Sequence, residues 1–486
     1  MKILFVKPDL PKCVIGGSEY SLSEPLEFEY LAATVPHHDV ELFDMRFGGD
    51  LQGKLSEYNP DAVCTTAMTI NVYEARRILK KAKQFNPKIL TMVGGYHPTV
   101  VPEDFNLNYI DIVVMGQAYF IFDKIIDSVE AGRSLEGIPA LAFPSEGGLK
   151  YTTPKITYID DLDVLPLPDR NLTREYRKKY YVEYWQPAAM MRTSFGCLDR
   201  CTFCAIWKLT RGKFLTRSVD RIIEELDSIN EKYLYLIDDN TIPIGQHERI
   251  ENLVDAIKTN GINKEYYTAM RTDSIVAYPH IIEKWAKVGL KRIFIGMEAH
   301  TDEKLNDYNK RTTHEINRKA VEIMHQNGIR VTASFLVDHN YTKDDFNRLF
   351  DYANQFNTDG IAYLILTPHP NADIWYRYQD QIKIFNYDLY DHFHTVFDTK
   401  MPTDQFYREY SKLWMKSYTP LTIAGLKRIS KIFYHAPWAQ VFLIGRVLTN
   451  IFGRFAENFK TKSLDIEDEF CYLENNRMPE AVVEEN

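Results

Sequence analysis

The sequence is poor in cysteine, and its few cysteines are unevenly placed. There are six in 486 residues, and three of them fall between positions 197 and 204 while the others are scattered. A secreted fold held by disulfides would space its cysteines differently and would normally carry an export signal. The N-terminus instead begins with a short apolar run at residues 3–6, which predicts a buried strand. We therefore expect a protein of the reducing cytoplasm.

The sequence also lacks an excess of positive charge and any long apolar run. Its formal net charge is −9 at pH 7, which provides no basic surface for nucleic acid, so no nucleic-acid partner is expected. No stretch of about 18 uninterrupted apolar residues occurs, so no transmembrane helix is predicted. The 45% hydrophobic and 26% charged residues are typical of a soluble globular chain. Its length predicts two or three domains.

Strand and helix patterns alternate through residues 1–150. Short apolar runs predict strands at 3–6, 39–43, 61–66, 88–93 and 110–114. Apolar residues at spacings of three and four predict an amphipathic helix at 71–85. This alternation predicts a Rossmann-like, doubly wound parallel sheet, which binds ligands beyond the carboxyl ends of its strands. The candidate binding residues at those ends are Thr66, Met68, Thr69, Gly94, Gly95, Tyr96, His97, Gly116 and Gln117.

A second alternating series follows a proline-containing, charged segment at 151–186, which we interpret as a linker. Within residues 187–376, strands are predicted at 188–194, 233–237, 266–271, 292–297, 331–337 and 361–366. Ser218 is a good N-cap for the helix after the first of them. Six strand–helix units predict a partial (β/α)6 TIM barrel with its chemistry at the carboxyl ends of the strands. Residues 377–486 are predicted to be mostly helical.

Three cysteines with the spacing C-x3-C-x2-C come directly after the first predicted barrel strand, at Cys197, Cys201 and Cys204. Thiolates are the natural ligands of iron–sulfur clusters, and a complete set has four. Three cysteines leave one iron open to a second molecule, so the spacing predicts a [4Fe-4S] cluster that passes an electron to that molecule. A zinc knuckle would need a fourth ligand nearby, yet the next histidine is His247. Phe203 is a candidate for packing against an adenine.

With these cysteines, residues 187–370 resemble the radical SAM superfamily, in which such a cluster reductively cleaves S-adenosylmethionine (SAM). Further motifs at later strand ends support the resemblance, and they are Asp238-Asp239-Asn240, Arg271-Thr272-Asp273 and Gly296-Met297-Glu298. The resemblance implies that the first group binds the SAM amino group. It likewise implies that Arg271 binds the SAM carboxylate and that Glu298 lies near the ribose. Alone, a charged residue at a strand end is usually a solvated group at the rim of a barrel, and the motifs gain weight because they occur together with the cysteines.

The order of doubly wound domain, linker and barrel is similar to that of cobalamin-binding radical SAM proteins. The likeness is carried by the segments at 24–26, 93–99 and 165–170. It implies a corrin between the two domains, where glycines let the backbone approach a flat macrocycle. The Asp-x-His-x-x-Gly motif that supplies an axial histidine in many cobalamin enzymes is absent, so no axial ligand is assigned. Gly116-Gln117 stands where the relatives usually carry an acidic motif, so no cobalamin contact by a carboxylate is expected there. An N-terminal domain that has kept this fold but does not bind cobalamin remains an alternative.

The resemblance implies an enzyme that uses the cluster, SAM and cobalamin to methylate an unactivated carbon. A weaker likeness at 385–388 and 399–402 to hopanoid methylases and anaerobic porphyrin-ring enzymes implies a large apolar substrate, a lipid or a tetrapyrrole. Reduction of the cluster implies an electron donor of the flavodoxin or ferredoxin type. Two alternatives stay open: a cobalamin-dependent radical oxidoreductase or cyclase, and a non-catalytic corrinoid- or metal-binding protein.

Two further features each allow two interpretations. His369 follows the last predicted barrel strand, where it is either a substrate contact or a substitution in a surface loop. An apolar stripe at helical spacing runs from Trp438 to Phe455 and is accompanied by basic residues. Such a stripe is either part of a core or an amphipathic helix that lies on a membrane surface.

Overall fold

The computed structural model describes residues 1–14, 20–154, 156 and 160–435. The fold is α/β, with a seven-stranded sheet near the N-terminus and a six-stranded sheet in the middle of the chain. The apolar stripe from Trp438 to Phe455 lies outside the described residues. Among the described helices, none is both long enough and apolar enough to cross a membrane.

Five parallel strands form the main part of the N-terminal sheet. They are β1 (Lys2–Lys7), β2 (Asp39–Asp44), β3 (Ala62–Thr66), β4 (Leu90–Gly94) and β5 (Ile112–Val114). Their spatial order is β2-β1-β3-β4-β5, an order shared by doubly wound folds that bind a ligand where the order reverses. Two short antiparallel strands, β6 (Leu141–Phe143) and β7 (Lys150–Tyr151), extend the β5 edge and were not predicted.

Helices cover both faces of this sheet, as the doubly wound prediction requires. Alternate side chains of β1 enter different cores, because successive residues of a strand point to opposite faces. Leu4 and Val6 enter one core, and Ile3 and Phe5 enter the other. The helices on the first face are Leu51–Tyr58 and Val72–Phe85, and those on the second face are Leu26–Thr34 and Phe122–Glu130. The short helix Tyr96–Val100 follows β4.

Six parallel strands in chain order form the second sheet, which agrees with the predicted partial barrel. They are β8 (Ala188–Met191), β9 (Tyr233–Leu236), β10 (Glu265–Met270), β11 (Leu290–Glu298), β12 (Arg330–Val337) and β13 (Gly360–Ile365). The helices between them are Ile206–Leu209, Val219–Ser228, His247–Thr259, Thr272–Ala277, Pro279–Lys287, Asp302–Asp307, His314–Gln326 and Lys343–Gln355. Ser218 caps Val219–Ser228 as predicted, because its side chain accepts a hydrogen bond from the backbone N–H of Arg221.

The predicted linker packs closely against both sheets through buried charges. Arg170 Nη1 lies 2.9 Å from Glu24 Oε1, and Arg170 Nη2 lies 2.7 Å from Glu225 Oε1 on the barrel helix Val219–Ser228. Arg177 Nη2 lies 2.9 Å from Glu29 Oε1 on the helix Leu26–Thr34. These pairs join the N-terminal domain, the linker and the barrel in one network, which we call the interdomain clamp (Glu24, Glu29, Arg170, Arg177 and Glu225).

The chain beyond β13 packs against both sheets. A short helix, Asp373–Arg377, is followed by turns whose tyrosines Tyr387 and Tyr390 enter a core of the N-terminal domain. The helix Thr403–Tyr418 buries Phe406 and Tyr410 against the barrel, and the helix Ile423–His435 ends the described chain. Between Thr403 and His435, where the described chain ends, the C-terminal region therefore consists of two helices.

Candidate active site

The loop that carries the three cysteines begins directly after β8. Gly196 has a φ of +95°, and a Cβ at this position would clash with the carbonyl oxygen of Lys213, so the turn requires glycine. Asp238 accepts hydrogen bonds from the backbone N–H groups of Thr193 (2.8 Å) and Ser194 (2.9 Å). Asp239 accepts one from Gly196 at 2.8 Å. Both carboxylates at the end of β9 therefore hold the start of the cysteine loop in place.

The three thiols lie close to one another at the mouth of the barrel. Burial raises the pKa of Cys204 to about 12, and the charges of Cys201 and Cys197 add to that rise. Burial also raises the pKa of Cys197 to about 11. Without metal these thiols stay protonated, and iron would displace their protons because thiolate is the ligand form. Among the described residues no group of three His, Cys, Asp or Glu side chains is arranged to hold a single metal ion.

Arg271 lies beside the cysteine loop at the end of β10. Its Nε and Nη2 donate to the carboxylate of Asp273 at 3.0 and 2.9 Å. Its Nε also lies 3.0 Å from Asp199 Oδ2, and its Nη1 lies 3.6 Å from Cys201 Sγ. Nη2 donates a further hydrogen bond to the carbonyl oxygen of Lys310. The guanidinium is thus engaged on several sides by protein groups.

Glu298 and Lys310 form a buried ion pair next to Cys201. Their Oε1 and Nζ atoms are 2.7 Å apart. Burial acts to lower the pKa of Lys310, but the charge of Glu298 raises it overall. A Cβ on Gly296 would lie only 2.8 Å from the Lys310 nitrogen, so glycine makes room for the pair. Lys310 was missed from the sequence because it lies in the loop after the helix Asp302–Asp307, away from any strand end.

Asn240 and Phe203 complete the predicted SAM residues. The Oδ1 atom of Asn240 accepts from the backbone N–H of Arg271 at 3.4 Å, while its Nδ2 is buried and has no partner among the described residues. A buried donor without a partner is unfavourable, so this amide is suited to a bound ligand. Phe203 packs edge-on against Tyr308 with ring centres 5.6 Å apart. The arrangement fits SAM near the cysteines, and the individual contacts stay predictions.

A cavity of about 440 Å³ lies between the N-terminal sheet and the cysteine loop. Seven of the nine candidate residues of the N-terminal domain line it, namely Thr66, Met68, Gly94, Gly95, Tyr96, Gly116 and Gln117. The barrel side contributes Arg192, Phe195, Ile206 and Leu209, which flank the cysteine loop in sequence, and Asp239, which holds Gly196 of that loop. The carboxyl ends of β3, β4 and β5 thus lie across one cavity from residues that adjoin the cysteine loop.

The wall formed by the N-terminal domain fits a flat macrocycle such as a corrin. Gly95 has a φ of +110°, and a Cβ there would lie 2.6 Å from Thr66 Oγ1. Gln117 Oε1 is buried and has no partner among the described residues, so it can accept a hydrogen bond from an amide on the edge of the ring. Met68 is 54% exposed and provides apolar contact. Backbone, the amide oxygen of Gln117 and apolar side chains therefore form much of this wall, which also contains the ion pair of Lys7 with Glu27.

Thr69 and His97 do not line the cavity. His97 is fully buried, with Nε2 2.8 Å from Asp104 Oδ2 and Nδ1 3.3 Å from Thr69 Oγ1. Because both ring nitrogens have protein partners, His97 supports the loop after β4 from behind. This position of His97 agrees with the sequence analysis, which assigned no axial histidine to the corrin. A direct contact of Thr69 or His97 with the cofactor stays a prediction.

His369 lies in the loop after β13, beside a second histidine. Its Nε2 is 3.0 Å from Nε2 of His392, and burial together with the charge of His392 lowers the pKa of His369 well below its usual value. The next residue, Pro370, accepts a hydrogen bond from the hydroxyl of Tyr96, which lines the cavity. His369 is therefore close to the domain boundary, and its role as a substrate contact stays a prediction.

Two family models match the two halves of this site. The Radical SAM superfamily model matches residues 191–353, which include the cysteine loop and the ends of β9, β10 and β11. These residues therefore form a radical SAM domain, as the cysteine spacing predicted. The B12 binding domain model matches residues 12–125. The protein is thus an enzyme that joins a B12-binding domain to a radical SAM domain, and its cofactors are a [4Fe-4S] cluster, SAM and cobalamin.

Curated relatives and solved structures resemble the chain over most of its length. Hopanoid C-3 methylase from Methylococcus capsulatus is 28% identical over 80% of this chain and 75% of that protein. Anaerobic magnesium-protoporphyrin IX monomethyl ester cyclase from Rubrivivax gelatinosus is 27% identical over 80% and 72%.

Two solved structures share the fold at lower identity. The cobalamin-dependent SAM radical enzyme OxsB, with aqua-cobalamin and SAM bound, has a TM-score of 0.69 at 18% identity over 94% of this chain and 72% of its own. The radical SAM methyltransferase TsrM from Kitasatospora setae, with cobalamin and a [4Fe-4S] cluster bound, has a TM-score of 0.69 at 14% identity over 94% and 99%.

Proposed function

We propose that the protein methylates an unactivated carbon of a large, apolar small molecule. The observation that carries this proposal is the cavity whose lining joins the glycine loops of the B12-binding domain to Phe195 and Ile206, which lie on either side of the cysteine loop. A methyl donor held on one wall and a radical initiator held on the other would both reach a substrate between them. The similarity to hopanoid C-3 methylase supports a carbon methylation.

The proposed residue roles follow from the geometry. When bound, the cluster and SAM supply a hydrogen-abstracting 5′-deoxyadenosyl radical, and cobalamin supplies the methyl group. Cys197, Cys201 and Cys204 hold the cluster, while Asp238 and Asp239 fix the loop that presents them. The unpaired amide of Asn240 donates to SAM. The glycines at 94, 95 and 116 admit the corrin, and Tyr96 closes the cavity at the domain boundary by its hydrogen bond to Pro370.

A second candidate keeps the cofactors and omits the methyl transfer. The similarity to the anaerobic cyclase from Rubrivivax gelatinosus favours a radical oxidation or ring closure on a tetrapyrrole. The two candidates differ in their products, because a methylase that uses two SAM per turnover releases S-adenosylhomocysteine together with 5′-deoxyadenosine. A cyclase releases 5′-deoxyadenosine without S-adenosylhomocysteine.

The deciding experiment is anaerobic turnover of the reconstituted protein with methyl-labelled SAM. Polycyclic lipids and porphyrins are offered separately, and products are read by mass spectrometry. Labelled methyl in the substrate with S-adenosylhomocysteine is the expected result. 5′-Deoxyadenosine alone, with an unmethylated and oxidised substrate, would establish the cyclase instead. A protein that assembles no cluster and cleaves no SAM would contradict both.

The proposed partners are a flavodoxin- or ferredoxin-type electron donor and, for a lipid substrate, a cytoplasmic membrane surface. Exposed apolar side chains near the end of the described chain support the membrane contact: Leu421, Ile423 and Leu426 are 69%, 75% and 55% exposed. Co-sedimentation with anionic lipid vesicles tests it by comparing the parent with Ile423→Ser. Equal sedimentation of both proteins would contradict a role of this patch.

A further inference from the structure

The contacts of Arg271 leave little of its guanidinium for a SAM carboxylate. A guanidinium has five N–H groups, and the usual grip on a carboxylate uses two parallel ones. Here the Nε group serves Asp273 and Asp199, the two Nη2 groups serve Asp273 and the carbonyl of Lys310, and one Nη1 group points to Cys201 Sγ. One N–H group remains, which is too few for a bidentate grip.

The charges around Arg271 argue in the same direction. Two carboxylates, Asp199 and Asp273, already lie within 3.0 Å of the guanidinium, so a third would meet net negative charge. Asp199 belongs to the cysteine loop and also accepts a hydrogen bond from Cys197 Sγ at 3.8 Å. Arg271 thereby ties the loop between Cys197 and Cys201 to the end of β10.

Lys310 has the free donors that Arg271 lacks. An ammonium carries three N–H groups, and one of them donates to Glu298 at 2.7 Å. No second hydrogen-bond acceptor for this nitrogen occurs among the described residues. The same nitrogen lies 5.8 Å from the ring centre of Phe203, the residue before Cys204. Lys310 is therefore held beside the cysteine loop with two donors to offer a ligand.

We infer that Arg271 and Lys310 divide two tasks: Arg271 positions and tunes the iron–sulfur cluster, and Lys310 binds the carboxylate of SAM. The reduction potential of such a cluster depends on hydrogen bonds to its sulfurs and on nearby charge. The N–H group directed at Cys201 Sγ stabilises the reduced cluster more than the oxidised one, because reduction adds negative charge. Arg271 therefore raises the potential at which the cluster accepts an electron.

The inference rests on the proposed cluster, so the parent protein is tested first. Iron content and visible absorbance after anaerobic reconstitution show whether the three cysteines bind a cluster. A parent protein that binds none contradicts the proposed function itself. Once the parent cluster is present, the midpoint potential by EPR-monitored redox titration and the SAM dissociation constant by anaerobic calorimetry test the division of tasks alone.

The variants Arg271→Lys and Lys310→Gln should change different quantities, the first the midpoint potential of the cluster and the second the dissociation constant of SAM. In Arg271→Lys the ratio of reduced to oxidised cluster should fall about tenfold at a fixed ambient potential, which is a shift of about 59 mV for one electron. Its SAM dissociation constant should change less than twofold. In Lys310→Gln that constant should rise at least tenfold, while the midpoint potential moves less than in Arg271→Lys.

Two matched controls separate these effects from general disturbance. Arg249→Lys alters a half-buried arginine whose hydrogen bonds go to Thr193, at the start of the same loop, and to Thr241. Lys304→Gln removes a neighbouring charge that pairs with Asp338 at 2.8 Å. Both should keep the parent potential and SAM affinity.

Loss of iron from Arg271→Lys, with an unchanged circular dichroism spectrum and with iron retained in Arg249→Lys, would support the positioning role. An unchanged potential together with lost SAM affinity in Arg271→Lys would overturn the inference. Arg271→Gln provides a second variant if the lysine does not fold.

Discussion

The two walls of the cavity between the N-terminal domain and the barrel differ in the chemical character of their residues. The wall from the N-terminal domain consists mainly of glycine backbone, apolar side chains and neutral polar groups such as the amide of Gln117, and its charges are those of the ion pair of Lys7 with Glu27. The barrel wall ends in a cysteine loop that is backed by the buried charges of Arg271, Asp273, Glu298 and Lys310. A large, nearly flat macrocycle needs shape and close approach, whereas a zwitterionic ligand and a charged cluster need fixed countercharges. Cobalamin therefore suits the wall of the N-terminal domain, and the cluster with SAM suits the charged wall of the barrel.

The largest effect is expected from the barrel wall. Replacing Cys197, Cys201 and Cys204 together by alanine should abolish the cluster absorbance and all cleavage of SAM, because no other thiols replace these ligands in the loop. Cobalamin binding should remain, since the opposite wall is untouched. Cys13→Ala is the matched control, because Cys13 is a free cysteine that lies outside both the cysteine loop and the lining of the cavity. SAM cleavage by the triple variant, followed as 5′-deoxyadenosine, would refute the cluster assignment.

The second prediction tests the cavity wall formed by the N-terminal domain. Gly95→Ala should weaken cobalamin binding at least tenfold, because its Cβ would lie 2.6 Å from Thr66 Oγ1 and a φ of +110° is strained for alanine. Cluster assembly should not change. The control is Gly137→Ala, where a Cβ would meet no atom within 4 Å. Absorbance titration with hydroxocobalamin measures the affinity, and equal affinities of both variants would show that the wall does not bind the corrin.

The order and position of the strands could be predicted from the sequence to within a few residues, because buried parallel strands appear as short apolar runs. The cysteine loop could also be predicted, since its three cysteines lie within eight residues of one another in the chain. The pairing of Arg271 with Asp199 and Cys201, the ion pair of Lys310 with Glu298 and the engagement of His97 by Asp104 were not predictable. Each joins side chains from different strand ends or loops, and only the folded register brings them together.

The interdomain clamp gives a prediction about how the two walls are held together. Burial and the charge of Glu24 raise the pKa of Glu29 to about 8. A raised carboxyl pKa means that the folded state binds more protons than the unfolded state between about pH 4.5 and 8, so stability falls as the pH rises through that window. Urea unfolding at pH 5.5, 7 and 8 should show a loss on the order of 2 kcal/mol.

Glu29→Gln should remove most of this dependence on pH, because the amide cannot ionise. Glu224→Gln is a suitable control, because Glu224 forms an exposed ion pair with Arg221 on Val219–Ser228, the helix that contributes Glu225 to the interdomain clamp. Identical pH profiles of the parent and Glu29→Gln would mean that Glu29 stays ionised in the folded clamp.

The smallest effect is expected outside both walls, at the N-cap of Val219–Ser228. Ser218→Ala removes the hydrogen bond to the backbone N–H of Arg221 and should lower the free energy of unfolding by about 1 kcal/mol. This helix contributes Glu225 to the interdomain clamp but no side chain to the cavity. Cobalamin and SAM affinities should therefore equal those of the parent, while thermal unfolding shifts downward. If Ser218→Ala lost affinity for cobalamin or SAM at unchanged stability, cofactor binding would depend on elements outside the two cavity walls. The chemical difference between the walls would then explain less of the cofactor binding than their side chains suggest.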